Sequence, residues 1–240
     1  MLARVVKWLT LPCSNPHYPQ SDEEVEREWQ RLAARPPHVP APARPVLVLA
    51  GYRAPQAQPR MIAEALHALC GASADDVLPL SYAWMGDPLH IACLVERAAR
   101  ARFGIRPVDV VGVSMGGLMA RVLDTGLLGP RLAIARAFTI ATPHRGALMA
   151  RVVRPDACAG MMRPGSPLLR ALDAARPNST MELVCYARLG DRWVGTRHCA
   201  PPGEDPIWSP GLAFGTHFVS AFDRRALVDI ARRLLGLEPW

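Results

Sequence analysis

The chain has almost no lysine: Lys7 is the single one, and every other basic side chain is an arginine. That excludes the phosphate loop of nucleoside triphosphatases, which needs Gly-Lys-Ser/Thr after its glycine-rich turn. Long apolar runs are missing as well, the longest falling well short of the ~20 residues a membrane-spanning helix requires. Aromatic residues make up 6% of the chain, and no helix carries a basic stripe interleaved with them, so nucleic-acid binding has no visible footprint. The formal net charge of +7, from 28 basic and 21 acidic residues, still invites an anionic partner. The arginines are scattered, however. Arginine, alanine and proline share GC-rich codons, so the excess reads as base composition and not as a binding patch.

Paired cysteine motifs are also absent. The six cysteines (Cys13, Cys70, Cys93, Cys158, Cys185 and Cys199) contain no C-x-x-C and no compact spacing, which argues against a disulfide framework. No H-E-x-x-H and no paired Cys/His set occurs, so no metal and no other cofactor is expected. The dinucleotide fingerprint G-x-G-x-x-G fails on "GVSMGG", because position 114 is serine. The first residues, "MLARVVKWLTLPC", make a poor signal peptide: Lys7 breaks the apolar run, Pro12 ends it, and no small-residue cleavage site follows. Packing of this segment onto the domain is expected, with weak attachment to a membrane surface as the alternative. A reducing cytoplasm is the expected location.

With 240 residues, half of them hydrophobic, the chain can bury one substantial core. "SDEEVEREWQRLAA" (21–34) reads as a helix capped by Ser21 or Asp22, and "RPPHVPAPARP" as an extended linker. Residues 1–45 are thus an N-terminal helix and linker, and residues 46–240 the main domain. In that domain strands are expected at 46–50, 76–84, 108–113, 134–142 and 181–187. Helices are expected at 59–69, 88–104, 115 to about 125, and 223–236. Strands alternating with helices of this length predict an α/β fold with a mostly parallel sheet covered on both faces. The stretch from 143 to 180 breaks the alternation. It reads as a small insertion over the carboxyl ends of the strands, where open α/β sheets bind ligands.

One joint carries chemistry. In "VDVVGVSMGGLMAR" (108–121) β-branched residues give way at Ser114 to apolar residues at helical spacing. A side chain pushed out of so sharp a turn leaves no room for bulk two places before or after it, and those places hold Gly112 and Gly116. This is the logic of a nucleophile elbow. A serine hydroxyl needs a base to take its proton and an acid to orient that base, in the chain order Ser, acid, His. Asp191, just past the strand 181–187, is the candidate acid, with Glu204 and Asp205 as competitors. His217, before the last helix, is the candidate base, with His198 as its competitor. The oxyanion requires fixed N–H donors. Met115, at the positive end of its helix, supplies one, and the candidate for the other is Tyr52, in the turn that Gly51 permits.

These pieces resemble the α/β-hydrolases of the lipase/esterase type, and are similar to bacterial triacylglycerol lipases and inositol-deacylase-like hydrolases. "VLVLAGY", the Ser114 segment, "FTIATPHRGA" (138–147), "GDRWV" and "GTHF" carry the likeness, with "RPGSPLLRAL" (163–172) between them; the first 40 residues are not covered. The resemblance implies the α/β-hydrolase fold, hydrolysis of a small-molecule or lipid ester through an acyl-enzyme, and Thr142, Pro143 and His144 near the site, His144 in a structural role. Two positions depart from the pattern: Ala50 precedes Gly51 where such lipases usually have histidine, and Val113 precedes the serine where histidine is common. Neither is a triad position, but both bear on the oxyanion loop and hence on the substrate. Within the insertion, Met149, Met161, Met162, Leu168 and Leu169 are expected to roof an acyl-binding cleft, the plainer alternative being that they seal the core. Two rivals share these residues: an acyltransferase with the same triad, and a binding module that keeps the fold without the chemistry.

Overall fold

The structure is a computed structural model and describes residues 20–35, 42–152, 155–211 and 215–240. The expected N-terminal segment and most of the proline-rich linker lie outside the described residues. Among the described residues six strands form one sheet: β1 (Val46–Leu49), β2 (Val77–Leu80), β3 (Val108–Val113), β4 (Ile134–Ile140), β5 (Glu182–Arg188) and β6 (Ile207–Ser209). Their order is β2-β1-β3-β4-β5-β6, and every pair is parallel. Parallel neighbours need crossovers. Helices α2 (Ala57–Cys70), α3 (Pro88–Phe103), α4 (Met115–Thr125) and α8 (Arg224–Leu234) make the covering layers. The insertion holds two short helices, α5 (Ala157–Met161) and α6 (Pro167–Ala175), and a one-turn helix α7 (Thr216–Val219) follows β6.

Alternation along each strand divides the apolar residues between two cores. Leu47, Leu49, Val108 and Val110 face one cluster, with Ile91, Val95, Leu118 and Val122 of α3 and α4. Val46, Val48, Val111 and Val113 face the other, with Ile62, Leu66, Val228 and Ile230 of α2 and α8. Burial on both faces is why these strands read as continuous apolar runs. The N-terminal helix α1 (Asp22–Ala33) has a capping box, in which Ser21 and Glu24 each satisfy the other's backbone N–H. It lies on α8 through buried Val25 and Leu32 and through ion pairs of Glu26, Asp22 and Glu28 with Arg224, Arg225 and Arg232.

Two departures from the expected elements stand out. The strand expected over 76–84 stops at Leu80, because Ser81 leaves the ladder: its N–H donates to Gln56 Oε1 (3.0 Å) and its hydroxyl to the Ala54 carbonyl. β6 was not expected, since three residues between Pro206 and Pro210 show no readable period.

Candidate active site

Three of the six strands deliver the candidate triad at their carboxyl ends. β3 runs straight into α4, and Ser114 occupies the joint at φ 49°, ψ −116°. A residue with a Cβ is strained there. The two flanking glycines explain how the joint can be so tight. A Cβ on Gly112 would lie 2.6 Å from the Gly117 nitrogen, and one on Gly116 would lie 2.4 Å from the Leu49 carbonyl oxygen. Both obstacles are backbone, which cannot swing aside. The other non-glycine residues with positive φ, Arg53 (53°) and Ala141 (50°), also follow strands, β1 and β4. Backbone strain among the described residues is therefore confined to the sheet's carboxyl end.

Asp191 lies in the loop after β5 and is fully buried. Its Oδ1 accepts the N–H groups of Trp193 (2.9 Å) and Val194 (3.0 Å), which leaves Oδ2 facing His217 Nδ1 at 2.8 Å. A carboxylate only accepts, so Nδ1 carries the hydrogen and Nε2 presents its lone pair. The His217 ring is flanked by Trp193, stacked at 6.2 Å with a 17° interplanar angle, and by Phe218, edge-on at 5.7 Å. Among the described residues no hydrogen bond joins His217 to Ser114, whose hydroxyl makes no capping bond to its own helix either.

The competing histidine, His198, and the structural candidate, His144, are both engaged elsewhere. His198 is buried with Nδ1 2.6 Å from the Gly146 carbonyl, and burial pushes its pKa down. His144 is fully buried between Thr139 Oγ1 (3.0 Å) and Arg121 (3.4 Å). Burial, and then the nearby arginines, hold its pKa well below the ordinary histidine value. Arg121 can only donate, so His144 is neutral, accepting on Nδ1 and donating from Nε2. It ties β4 to α4. Glu204 pairs with Arg176 at 3.2 Å.

Met115 opens α4, where an N–H has no carbonyl one turn back to bond. Its side chain is buried in the core. Tyr52 follows Gly51, whose N–H is tied to Gln58 Oε1 at 2.8 Å. The Tyr52 hydroxyl donates to Asp156 Oδ2 at 2.6 Å. Of the expected acyl-cleft residues, Met161 and Met162 are buried in the same core cluster as Met115 and Leu118, and Leu168 packs against it. Met149 stands at the surface, its N–H donating to the Trp193 carbonyl at 3.1 Å. A cleft of about 830 Å³ opens beside the Tyr52 loop, lined by Arg53, Gln56, Ser81, Tyr82, Trp84 and Asp156 among others.

Three residues that sequence reasoning passed over belong to this assembly. Trp193 stands inside "GDRWV", but only the fold stacks it on His217. Gln58 and Asp156 hold the loop after β1; Gln58 is 7 residues from its partner Gly51, but nothing in the sequence links Asp156 to Tyr52, 104 residues away. Among the described residues no cluster of His, Cys, Asp and Glu has a metal-binding arrangement, and no helix is long and apolar enough to cross a membrane.

No protein-family model matches the chain, and no curated protein matches it in sequence. Solved structures do. Phospholipase PlaB from Legionella pneumophila superposes with a TM-score of 0.56 at 12% identity, over 81% of this chain and 61% of that one. The mature form of Bacillus licheniformis lipase BlEst2 gives 0.57 at 16% identity, over 84% and 96%. Aspergillus fumigatus lipase B gives 0.58 at 15% identity, over 97% and 61%. The chain therefore spans 61% of the length of PlaB and of the Aspergillus lipase. What these likenesses and the six-stranded parallel sheet establish together is architecture: the chain has the α/β-hydrolase fold.

Proposed function

We propose that the protein is a serine hydrolase of carboxylic esters, with Ser114 as nucleophile, His217 as general base and Asp191 as the acid that orients the base. One observation carries the reading. A serine strained to φ 49° at the β3–α4 joint shares the sheet's carboxyl end with a histidine 2.8 Å from a buried carboxylate. Strain of this kind persists where a site needs it.

The steps follow from the donors and acceptors. His217 Nε2 takes the Ser114 proton as Oγ attacks the ester carbonyl carbon. The N–H groups of Met115 and Tyr52 receive the oxyanion, and Asp191 stabilises the imidazolium that forms. The imidazolium then gives its proton to the departing alkoxide oxygen, leaving an acyl-enzyme and an alcohol. Water, deprotonated in turn by His217, attacks the acyl carbon; Ser114 regains its proton and the carboxylic acid leaves.

The substrate class is a small-molecule or lipid ester with an apolar acyl part. Support comes from two exposed aromatic side chains that flank His217, Trp193 and Phe218, and from exposed Met149, whose N–H bonds the Trp193 carbonyl. The likeness to proteins described as lipases and a phospholipase agrees with it. A reducing cytoplasm is the location we favour, in keeping with the free thiols of all five described cysteines.

The test is hydrolysis of a p-nitrophenyl ester with and without an added alcohol. Free acid as the main product, lost in Ser114→Ala, supports the reading. Transfer of the acyl group mainly to the alcohol makes the protein an acyltransferase, and no turnover of any ester makes it a binding module.

A further inference from the structure

The loop after β1 poses a mechanical problem. An N–H that receives an oxyanion must be held still, yet this loop passes through a left-handed residue, Arg53, at φ 53°. A conformation of that kind persists only where its surroundings hold it. Three contacts do so from within or beneath the loop: Ala54 N–H to the Gly51 carbonyl (3.1 Å), Gly51 N–H to Gln58 Oε1 (2.8 Å), and Tyr82 hydroxyl to the Ala50 carbonyl (2.6 Å). The fourth hold comes from the insertion. Asp156 Oδ2 accepts the Tyr52 hydroxyl at 2.6 Å and the Arg53 guanidinium at 3.0 Å. In an extended segment consecutive side chains point to opposite faces. The left-handed turn at Arg53 brings both to one oxygen, with the guanidinium 5.2 Å above the Tyr52 ring.

Asp156 is itself immobilised. Its other oxygen caps α5, accepting the Ala159 N–H at 2.9 Å, and Cys158 N–H bonds the Gly86 carbonyl at 3.1 Å. Its Cβ sits so close to Gly86 that a Cβ there would be 3.0 Å away. Burial pushes the carboxyl up, but the bonds from Tyr52, Ala159 and Arg53 bring it below the usual carboxylate value overall. Burial, and then Asp156, push the Tyr52 phenol up to about 12. The phenol therefore stays a donor and the carboxylate an acceptor throughout the pH range of an assay.

We infer that Asp156 is a positioning residue for the reaction: through Tyr52 and Arg53 it clasps the oxyanion loop to the insertion and fixes the Tyr52 N–H. The inference rests on the proposed ester hydrolysis and on Tyr52 as a donor in it. The insertion thus has a catalytic duty besides any it has toward substrate.

The competing account makes Asp156 only the cap of α5, and the variants separate the two. Tyr52→Phe removes the hydroxyl arm of the clasp and leaves the cap together with the Arg53 pair, whose guanidinium is more than half exposed and holds little by itself. Asp156→Ser keeps a capping oxygen that is too short to reach Tyr52. Asp156→Asn keeps one acceptor oxygen, enough for the cap or for the clasp but not for both, because Oδ1 serves Ala159 and Oδ2 serves Tyr52 and Arg53. Removing an oxyanion donor costs 10²–10³ in kcat; loosening one should cost about tenfold. Tyr52→Phe and Asp156→Ser should each lower kcat by about that factor with KM within twofold, and Asp156→Asn, with one acceptor oxygen for two duties, should fall between them and the parent. Affinity for a trifluoromethyl ketone, which forms the tetrahedral adduct, should fall in parallel, and the double variant should be no worse than either single one. A Tyr52→Phe enzyme with wild-type kcat and wild-type ketone affinity overturns the clasp. So does activity that in every variant merely tracks the folded fraction. Ser114→Ala is run alongside: if it keeps full activity, the ester-hydrolase reading itself has failed, whereas a dead Ser114→Ala with normal Tyr52→Phe removes the clasp alone.

Discussion

Gly116→Ala isolates the elbow from the chemistry it serves, because the serine, the histidine and the acid all remain. The added methyl would stand 2.4 Å from the Leu49 carbonyl oxygen and 2.8 Å from that of Ala50. Carbon and carbonyl oxygen approach to about 3.3 Å at closest in close-packed structure, so α4 and β1 must part by roughly 0.9 Å. Neither side yields cheaply: Leu49 pairs with Leu80 and Gly112 in the sheet, and Met115, Leu118 and Met119 of α4 are fully buried. Overpacking of this kind costs about 1–3 kcal/mol. At 2 kcal/mol and about 2–4 °C per kcal/mol for a chain of this size, Tm should fall by about 4–8 °C. The shift also separates the Met115 N–H on α4 from the Tyr52 loop on β1. Misplacement by about 1 Å can cost 10²-fold, so kcat/KM should drop by about that factor even in fully folded protein. Thermal unfolding by circular dichroism and ester hydrolysis at 25 °C measure the two effects. Gly160→Ala is the control, since a Cβ there meets nothing within 4 Å; it should keep both Tm and rate. A Gly116→Ala enzyme with wild-type rate and stability would refute the steric account of the elbow.

The two late histidines should part company: His217→Ala should be about as damaging to ester hydrolysis as Ser114→Ala, whereas His198→Ala should lose stability and keep most of the kcat of its folded fraction. Were His198→Ala the dead variant, the base would move to His198. Stability should fall in mild acid. His144 and His198 have depressed pKa values in the fold, so below the unfolded value of about 6.5 the unfolded chain binds protons the fold refuses, and stability present above that pH is lost as it drops, by at most about 1.4 kcal/mol per pH unit for each. Urea unfolding at pH 7.5 and 5.5 should show this loss, smaller in His144→Asn than in the parent; equal slopes would contradict it. In a series of esters from acetyl to dodecanoyl, kcat/KM should rise by about fourfold per methylene buried, at ~0.8 kcal/mol each. Met149→Ser should flatten that rise, and Met161→Ser, in the core, should instead cost stability; a profile peaking at acetyl would refute an apolar acyl site.

What could be read from the sequence was what local sterics dictate. The strands over 46–49 and 108–113 were legible because burial on both faces forces continuous apolar runs. The elbow was legible because Gly112 and Gly116 have no substitute at contacts of 2.6 and 2.4 Å. Ser21 or Asp22 announced a helix start, and the structure makes Ser21 the cap through bonds with Glu24 that span three residues. What stayed hidden depends on contacts across the chain. β6 is three residues long and too short to have a period. Asp156 meets Tyr52 only because the insertion folds back over the loop after β1. Met161 and Met162 fit an acyl cleft and a core equally well as a pattern; the fold buries both. In the sequence His217 is preferred to His198 by its place before the last helix, but the partners of each, Asp191 and the Gly146 carbonyl, depend on the fold.

The central claim is that an acyl group passes through Ser114, and mapping a covalent adduct tests it most directly. The protein is labelled with a fluorophosphonate, digested, and the modified peptide identified by mass spectrometry. The account predicts one adduct, on Ser114, absent from Ser114→Ala and formed far more slowly in His217→Ala. An adduct on another residue, or a Ser114→Ala protein that still hydrolyses esters at the wild-type rate, would contradict it.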